Sequence, residues 1–204
     1  MLWWWRVLLW RRWRRGLRRM NRLETIYQVA YLIGGPDRVT DTAVAGALER
    51  KAARLDRSGV LHRSSVKPTD PFVLAVVESL PKVRAERVRE VLREPEPMRS
   101  LRAELLAAGL VVPTYHWRRA WHAATRTPGG VWATRAGERL LAEAREDPRL
   151  VTGARGAVAL GGLGAYPDRR SAWLLTAPTA GEKARVTVSS PDDGQMDVTD
   201  CSPG

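Results

Sequence analysis

No straight α-helix runs through Gly34-Gly35-Pro36. Glycine and proline have the poorest helix propensities, and proline also lacks the amide donor and clashes with the turn before it. Apolar residues nevertheless recur at helical spacing on both sides: Leu23, Ile26, Tyr27, Ala30 and Tyr31 before the tripeptide, and Val39, Ala43, Val44, Ala47 and Leu48 after it. The stretch therefore predicts two amphipathic helices joined at a structural turn formed by Gly34, Gly35 and Pro36. Pro36 falls in the first turn of the second helix, where its missing N–H costs nothing. Residues 54–62 follow as a short hairpin around Ser58-Gly59. Helix, turn, helix and hairpin together resemble half of a winged helix.

A related order of elements returns further along, with no matching sequence period. Asp70 suits an N-cap and Pro71 a first helical residue; Phe72, Val73, Val76, Val77 and Leu80 form the stripe behind them. Val88, Val91 and Leu92 predict another helix, up to the Pro95-Glu96-Pro97 break, and Met98, Leu101, Leu105 and Ala108 a third, closed by Gly109. Leu110-Val111-Val112 reads as a strand, Tyr115 to Val131 as a long wing, and Trp132-Ala133 as its return, with Thr134 capping a closing helix through Leu141. The fold class expected is mainly α (α+β): two winged-helix-like units with small β-hairpins, at 23–67 and 68–155. A short helical extension is expected at 156–177, and a polar, disordered tail at 178–204.

Residues 1–22 have a different texture. They hold eight Arg and no acid, which is +8 of the formal net charge of +12. Five of the nine tryptophans stand here: Trp3, Trp4, Trp5, Trp10 and Trp13. On a helix, Trp10, Trp13, Leu17 and Met20 form one stripe, and Arg11, Arg14, Arg15, Arg18, Arg19 and Arg22 occupy the broad other side. Indoles at headgroup level and guanidiniums on phosphates describe an interfacial anchor, with Arg12 among its contacts. The apolar stretch Leu2 to Trp10 rises only ~15 Å as a helix, about half a hydrocarbon core, so it lies in the interface and does not cross. Nor does a small-residue cleavage site follow it, as a secretory signal requires. Two other readings stand beside the anchor: a disordered basic tail, and a chain whose translation starts at Met20.

Enzyme chemistry finds little to work with. One cysteine, Cys201, excludes a disulfide framework and a multi-thiolate metal site, and its context lacks the aliphatic residues of a prenylation box. His116 and His122 lack the i, i+4 spacing of helical metal ligands, and no carboxylate lies between Glu104 and Glu138. Gly161-Gly162-Leu163-Gly164 has no phosphate-loop context and reads as a turn. No enzyme, cofactor or metal is expected. The densest basic-aromatic cluster outside the arm lies in the second wing, where Trp117, Arg118, Arg119, Trp121 and Arg126 are candidate anion-binding residues. The alternative for them is a solvated hairpin with its tryptophans over the core. DNA binding is possible but not favoured, because the first candidate recognition helix carries Asp37 and Asp41 where phosphates would lie.

Glu24 to Leu48 contains Ala30-Tyr31-Leu32, Gly34-Gly35-Pro36 and Arg38-Val39. It resembles the opening of an uncharacterised actinobacterial membrane-associated family with an AYL…GGP…RV motif and, in many members, a low-complexity Gly- and Cys-rich C-terminal tail. Softer matches continue through Gly59-Val60-Leu61, Asp70-Pro71, Leu105 to Leu110, Thr134 to Leu141 and Ala157 to Gly162, so the resemblance covers about residues 23–165. It implies membrane association and supplies no activity; the tail here has one Cys and no glycine array. A helical stretch followed by a hairpin is similar, more distantly, to the phosphoinositide-binding Golgi phosphoprotein family, with no residue roles carried over. The expectation is a non-enzymatic, cytoplasmic interaction module. It sits peripherally on the inner face of the cell membrane, with an anionic membrane surface and an unknown protein as partners. The alternatives are a winged-helix transcriptional regulator and a binder of phosphoinositide or other anionic headgroups through the second hairpin.

Overall fold

The computed structural model describes residues 20–80, 83–84, 88–89, 92, 95–113 and 131–176. The fold is mainly α, with two small antiparallel sheets. In chain order the elements are α1 (Ile26–Glu49), β1 (Ala53–Leu55), β2 (Val60–Arg63), α2 (Pro71–Ser79), β3 (Val83–Arg84) and α3 (Glu96–Ala107). Then follow β4 (Val111–Pro113), β5 (Val131–Ala133), α4 (Arg135–Glu146), α5 (Pro148–Val151), α6 (Gly153–Gly161), a 3-10 turn at Leu163–Ala165 and α7 (Arg169–Thr176).

The expected break lies inside α1. Gly35 adopts φ 66°, ψ −155°, a region that only glycine occupies without strain, and the helix resumes from Pro36. A straight helix would separate Tyr27 from Arg50 by roughly 35 Å. Instead both residues reach one carboxylate. Tyr27 Oη donates to Asp70 Oδ2 at 2.8 Å, and Arg50 Nη1 lies 3.9 Å from the same oxygen. The Gly-Gly-Pro turn thus folds α1 back on itself as a helical hairpin whose open end faces Asp70.

The second half of that hairpin is the centre of the molecule. Every residue from Val39 to Ala47 is buried, not only the predicted apolar stripe. The polar residues among them are satisfied locally or by pairing. Thr40 Oγ1 donates to Pro36 O at 3.1 Å, Thr42 Oγ1 donates to Arg38 O at 2.8 Å, and Asp41 accepts two hydrogen bonds from Arg89 at 2.6 and 3.0 Å. Burial raises the Asp41 carboxyl above its ordinary value, and the Arg89 guanidinium opposes the shift. One continuous hydrophobic core joins elements from both predicted units, with Leu23, Tyr31, Leu61, Val73, Leu105, Leu141 and Val158 all in it.

The short hairpin forms as expected. Ala53 pairs with Arg63 and Leu55 with Leu61, and Asp56 organises the turn by accepting from Ser58 N, Ser58 Oγ and Val60 N. Two regions differ from expectation. Val83–Arg84, placed before the predicted Val88 helix, is a strand that pairs with β2 and extends the hairpin to three strands; it covers the backbone edge that β2 would otherwise leave open. Val88 and Arg89 are helical. The predicted single short helix beyond residue 155 is two helices and a 3-10 turn, and α6 is the principal packing partner of α1. Small residues make the approach possible: a Cβ on Gly46 would stand 2.8 Å from Arg155 Cδ.

Arg38 ties the break to α6. Its Nη1 donates to Val158 O at 3.2 Å, near the helix C-terminus, where a cation is favourable. Gly162, at φ 82° and ψ −175°, ends α6 beneath the guanidinium; a Cβ there would lie 2.6 Å from Arg38 Nη1. The two blocks Gly34 to Arg38 and Ala157 to Gly162 therefore meet in space.

Candidate functional site

The open end of the α1 hairpin is a cavity of about 870 Å³, within the ~300–1,000 Å³ typical of ligand pockets. Its elements are placed by local chemistry. Thr25 and Gln28 form a capping box at the start of α1; Gln28 Oε1 accepts from Glu24 N at 2.7 Å and from Thr25 N at 3.2 Å. The same Gln28, buried, donates from Nε2 to Glu104 Oε1 at 2.8 Å and fastens α1 to α3. Asp70 caps α2, its Oδ1 accepting from Phe72 N at 3.0 Å and Val73 N at 3.4 Å.

Asp70 is the junction of the site. Its side chain is 11% exposed. Oδ2 takes the Tyr27 hydroxyl, while Arg155 Nη1 and Arg50 Nη1 approach at 3.6 and 3.9 Å. Burial, reinforced by the Asp70 charge, pushes the Tyr27 phenol far above its ordinary value of 10, so it stays a proton donor at every physiological pH. Arg155 is held from the other side, its Nε donating to Glu49 Oε2 at 3.2 Å, while Glu49 Oε1 accepts Ala154 N at the start of α6. The half-buried Phe72 provides an aromatic surface, packed on the buried Tyr27 with ring centroids 4.2 Å apart and planes tilted by 32°. Arg149 from α5 and Glu96 from α3 complete the charged lining.

Most carboxylates here are already engaged. Asp70 caps a helix and accepts a phenol, Glu104 accepts Gln28, and Glu96 pairs with Arg99 at 2.5 Å. Among the described residues no group of three or more His, Cys, Asp or Glu is placed to hold a metal ion. The arrangement can bind an anion beside an aromatic surface.

Comparison with known proteins finds no match. No family model, curated protein or solved structure corresponds to this chain.

The predicted contact residues fall elsewhere. Trp3, Trp4, Trp5, Trp10, Arg11, Arg12, Trp13, Arg14, Arg15, Arg18 and Arg19 lie outside the described residues, as do Trp117, Arg118, Arg119, Trp121 and Arg126. Gly34, Gly35 and Pro36 occupy the α1 break, the two glycines buried and Pro36 half-buried. The cavity itself was not foreseen. Its only local signals are the Asp70-Pro71 cap and the Thr25/Gln28 box, because Tyr27, Arg50, Asp70 and Arg155 come together only through the fold. Where the chain leaves the arm, Leu23 is buried and Arg22 and Leu23 lie beside Leu140, Ala144 and Leu150, at the junction of α4 and α5. Among the described residues no helix is long and apolar enough to cross a membrane.

Proposed function

We propose that the chain is a non-enzymatic interaction module held on the inner face of an anionic membrane by residues 1–22, with the cavity at the open end of the α1 hairpin facing a partner. The observation that carries this reading is the partition of charge: +8 and five tryptophans in the first 22 residues, against +4 spread over residues 23–204. Basic residues near a charged bilayer contribute ~1 kcal/mol each, so four engaged arginines supply about 4 kcal/mol, roughly a thousandfold enrichment at the surface. Indole burial makes the attachment less sensitive to salt.

Engagement of the cavity's carboxylates in structural bonds favours binding over chemistry. Burial of Val39 to Ala47 weighs against DNA recognition through the second half of α1, which exposes no base-reading side chain over that stretch. The test is co-sedimentation at physiological ionic strength with vesicles containing phosphatidylglycerol. The full chain pellets, it does not pellet with phosphatidylcholine alone, and a chain beginning at Met20 stays in the supernatant. Pelleting of the shortened chain transfers the lipid contact to the second hairpin, with Trp117, Arg118, Arg119, Trp121 and Arg126. Failure of the full chain to pellet ends the membrane reading.

A further inference from the structure

The cavity's charges are sorted by element. Its cations come from the end of α1 and from α5 and α6, as Arg50, Arg149 and Arg155; its outer anions come from the segment before α1 and from α3, as Glu24, Glu96 and Glu104. Two of the cations have donors to spare. Among the described residues the Arg149 guanidinium has no hydrogen bond or ion pair, and the Arg50 guanidinium has only the 3.9 Å approach to Asp70. A guanidinium offers five N–H donors in a planar fork that matches a carboxylate. Asp70 leaves Arg50 weakly paired, since Oδ1 accepts two amides and Oδ2 already takes the Tyr27 hydroxyl and the nearer Arg155. The Tyr27–Phe72 ring pair lies in the same lining.

An anion site beside an aromatic surface suits a ligand that carries a carboxylate and an apolar group on neighbouring atoms. The last residue of a polypeptide does so, with its terminal carboxylate and side chain on one Cα; an internal Asp or Glu offers the carboxylate alone. Inorganic phosphate would leave the rings unused. We propose that the cavity binds the C-terminal end of a partner polypeptide. Arg50 and Arg149 hold its carboxylate, the Phe72 ring, backed by Tyr27, receives an apolar last side chain, and Glu24 favours basic residues upstream. Capture of a terminal carboxylate is a recurring mode of peptide recognition, here with guanidinium donors in place of backbone amides. The inference rests on the reading of the chain as an interaction module but not on its membrane attachment, so peptide capture and vesicle pelleting fail independently.

The experiment presents the full chain, without vesicles, with a random tetrapeptide library immobilised through its N-termini. One copy of the library has free C-terminal carboxylates and a second copy is C-terminally amidated. The expected result is capture of free-acid sequences ending in Leu, Ile or Phe and enriched in Lys or Arg upstream, with at least about tenfold less capture of the amides. Arg50→Ala with Arg149→Ala abolishes the preference, and Arg139→Ala, exposed on α4, leaves it intact. Thermal melts establish that the variants fold; should the double variant unfold, Arg149→Gln alone must still reduce the free-acid preference. Equal capture of acids and amides overturns the proposal, as does no capture from either library. Displacement by inorganic phosphate with no sequence preference overturns it in favour of a simple anion site.

Discussion

Replacing Gly162 with alanine strikes the joint between the α1 break and the end of α6. At φ 82° and ψ −175°, Gly162 occupies backbone space that costs a residue with a Cβ about 1–3 kcal/mol. The added Cβ would also stand 2.6 Å from Arg38 Nη1 and 3.2 Å from Cζ, so the guanidinium must move and its bond to Val158 O is lost. A charge-assisted hydrogen bond is worth ~1.5–3 kcal/mol when dry, and about 1 kcal/mol at a half-buried site like this one. Gly162→Ala therefore loses about 3 kcal/mol, which lowers Tm by about 6–12 °C for a chain of this size. Arg38→Ala alone removes the hydrogen bond and costs about 1 kcal/mol, because Gly162 stays in place and its backbone is unstrained. In the double variant the clash and the hydrogen bond are already gone, so the two losses do not add, and the coupling is about 1 kcal/mol. Urea unfolding followed by circular dichroism at the helix band measures all four corners of the cycle. Strict additivity, or a Gly162→Ala protein as stable as the parent, would refute the account of this joint.

Three further outcomes follow from the buried polar groups. Because burial raises the folded-state pKa of Asp41 above its unfolded 3.8, the native state binds that proton more tightly. Its contribution is then most favourable at low pH and declines as pH rises from about 4 through the folded value; the stability of the parent relative to Asp41→Asn should fall over that window in urea titrations, and a rise would contradict the assignment. Tyr27, Tyr31 and Tyr166 are all pushed above their ordinary phenolic pKa, mainly by burial. Native absorbance titration should accordingly fall short of the full four-tyrosine step near pH 10, with Tyr27 not ionising there, and the full step should return in urea; a full native step would refute the burial. The Tyr31 hydroxyl is buried with no hydrogen-bond partner among the described residues, so Tyr31→Phe is neutral or stabilises by up to about 1 kcal/mol in the same unfolding assay, and a loss above 1 kcal/mol would contradict the unpartnered hydroxyl.

What could be read in advance was what neighbouring residues decide between themselves. The Gly34-Gly35-Pro36 break, the Asp70 and Thr134 caps and the Ser58-Gly59 turn each depend on side chains within a few positions of the backbone they shape. What was not legible depends on distance. The burial of Asp41 depends on Arg89, 48 residues away, which supplies its partner. The two residues of β3 carry no pattern of their own; they are a strand because β2 has a free edge. Nothing beside Arg38 in the sequence points to its partner, a carbonyl 120 residues on. The cavity is the extreme case, for its central cluster is drawn from Tyr27, Arg50, Asp70 and Arg155, and only the reversal of α1 brings the first two together.

In the membrane reading the arginines bring the arm to the surface and its indoles enter the bilayer. The decisive measurement is tryptophan emission of the full chain on phosphatidylglycerol vesicles whose acyl chains carry bromine at a shallow depth. The account predicts strong quenching with a shift to shorter wavelength, both absent from a chain that starts at Met20. Emission unchanged by brominated lipid, with the full chain present and the vesicles in excess, would contradict it.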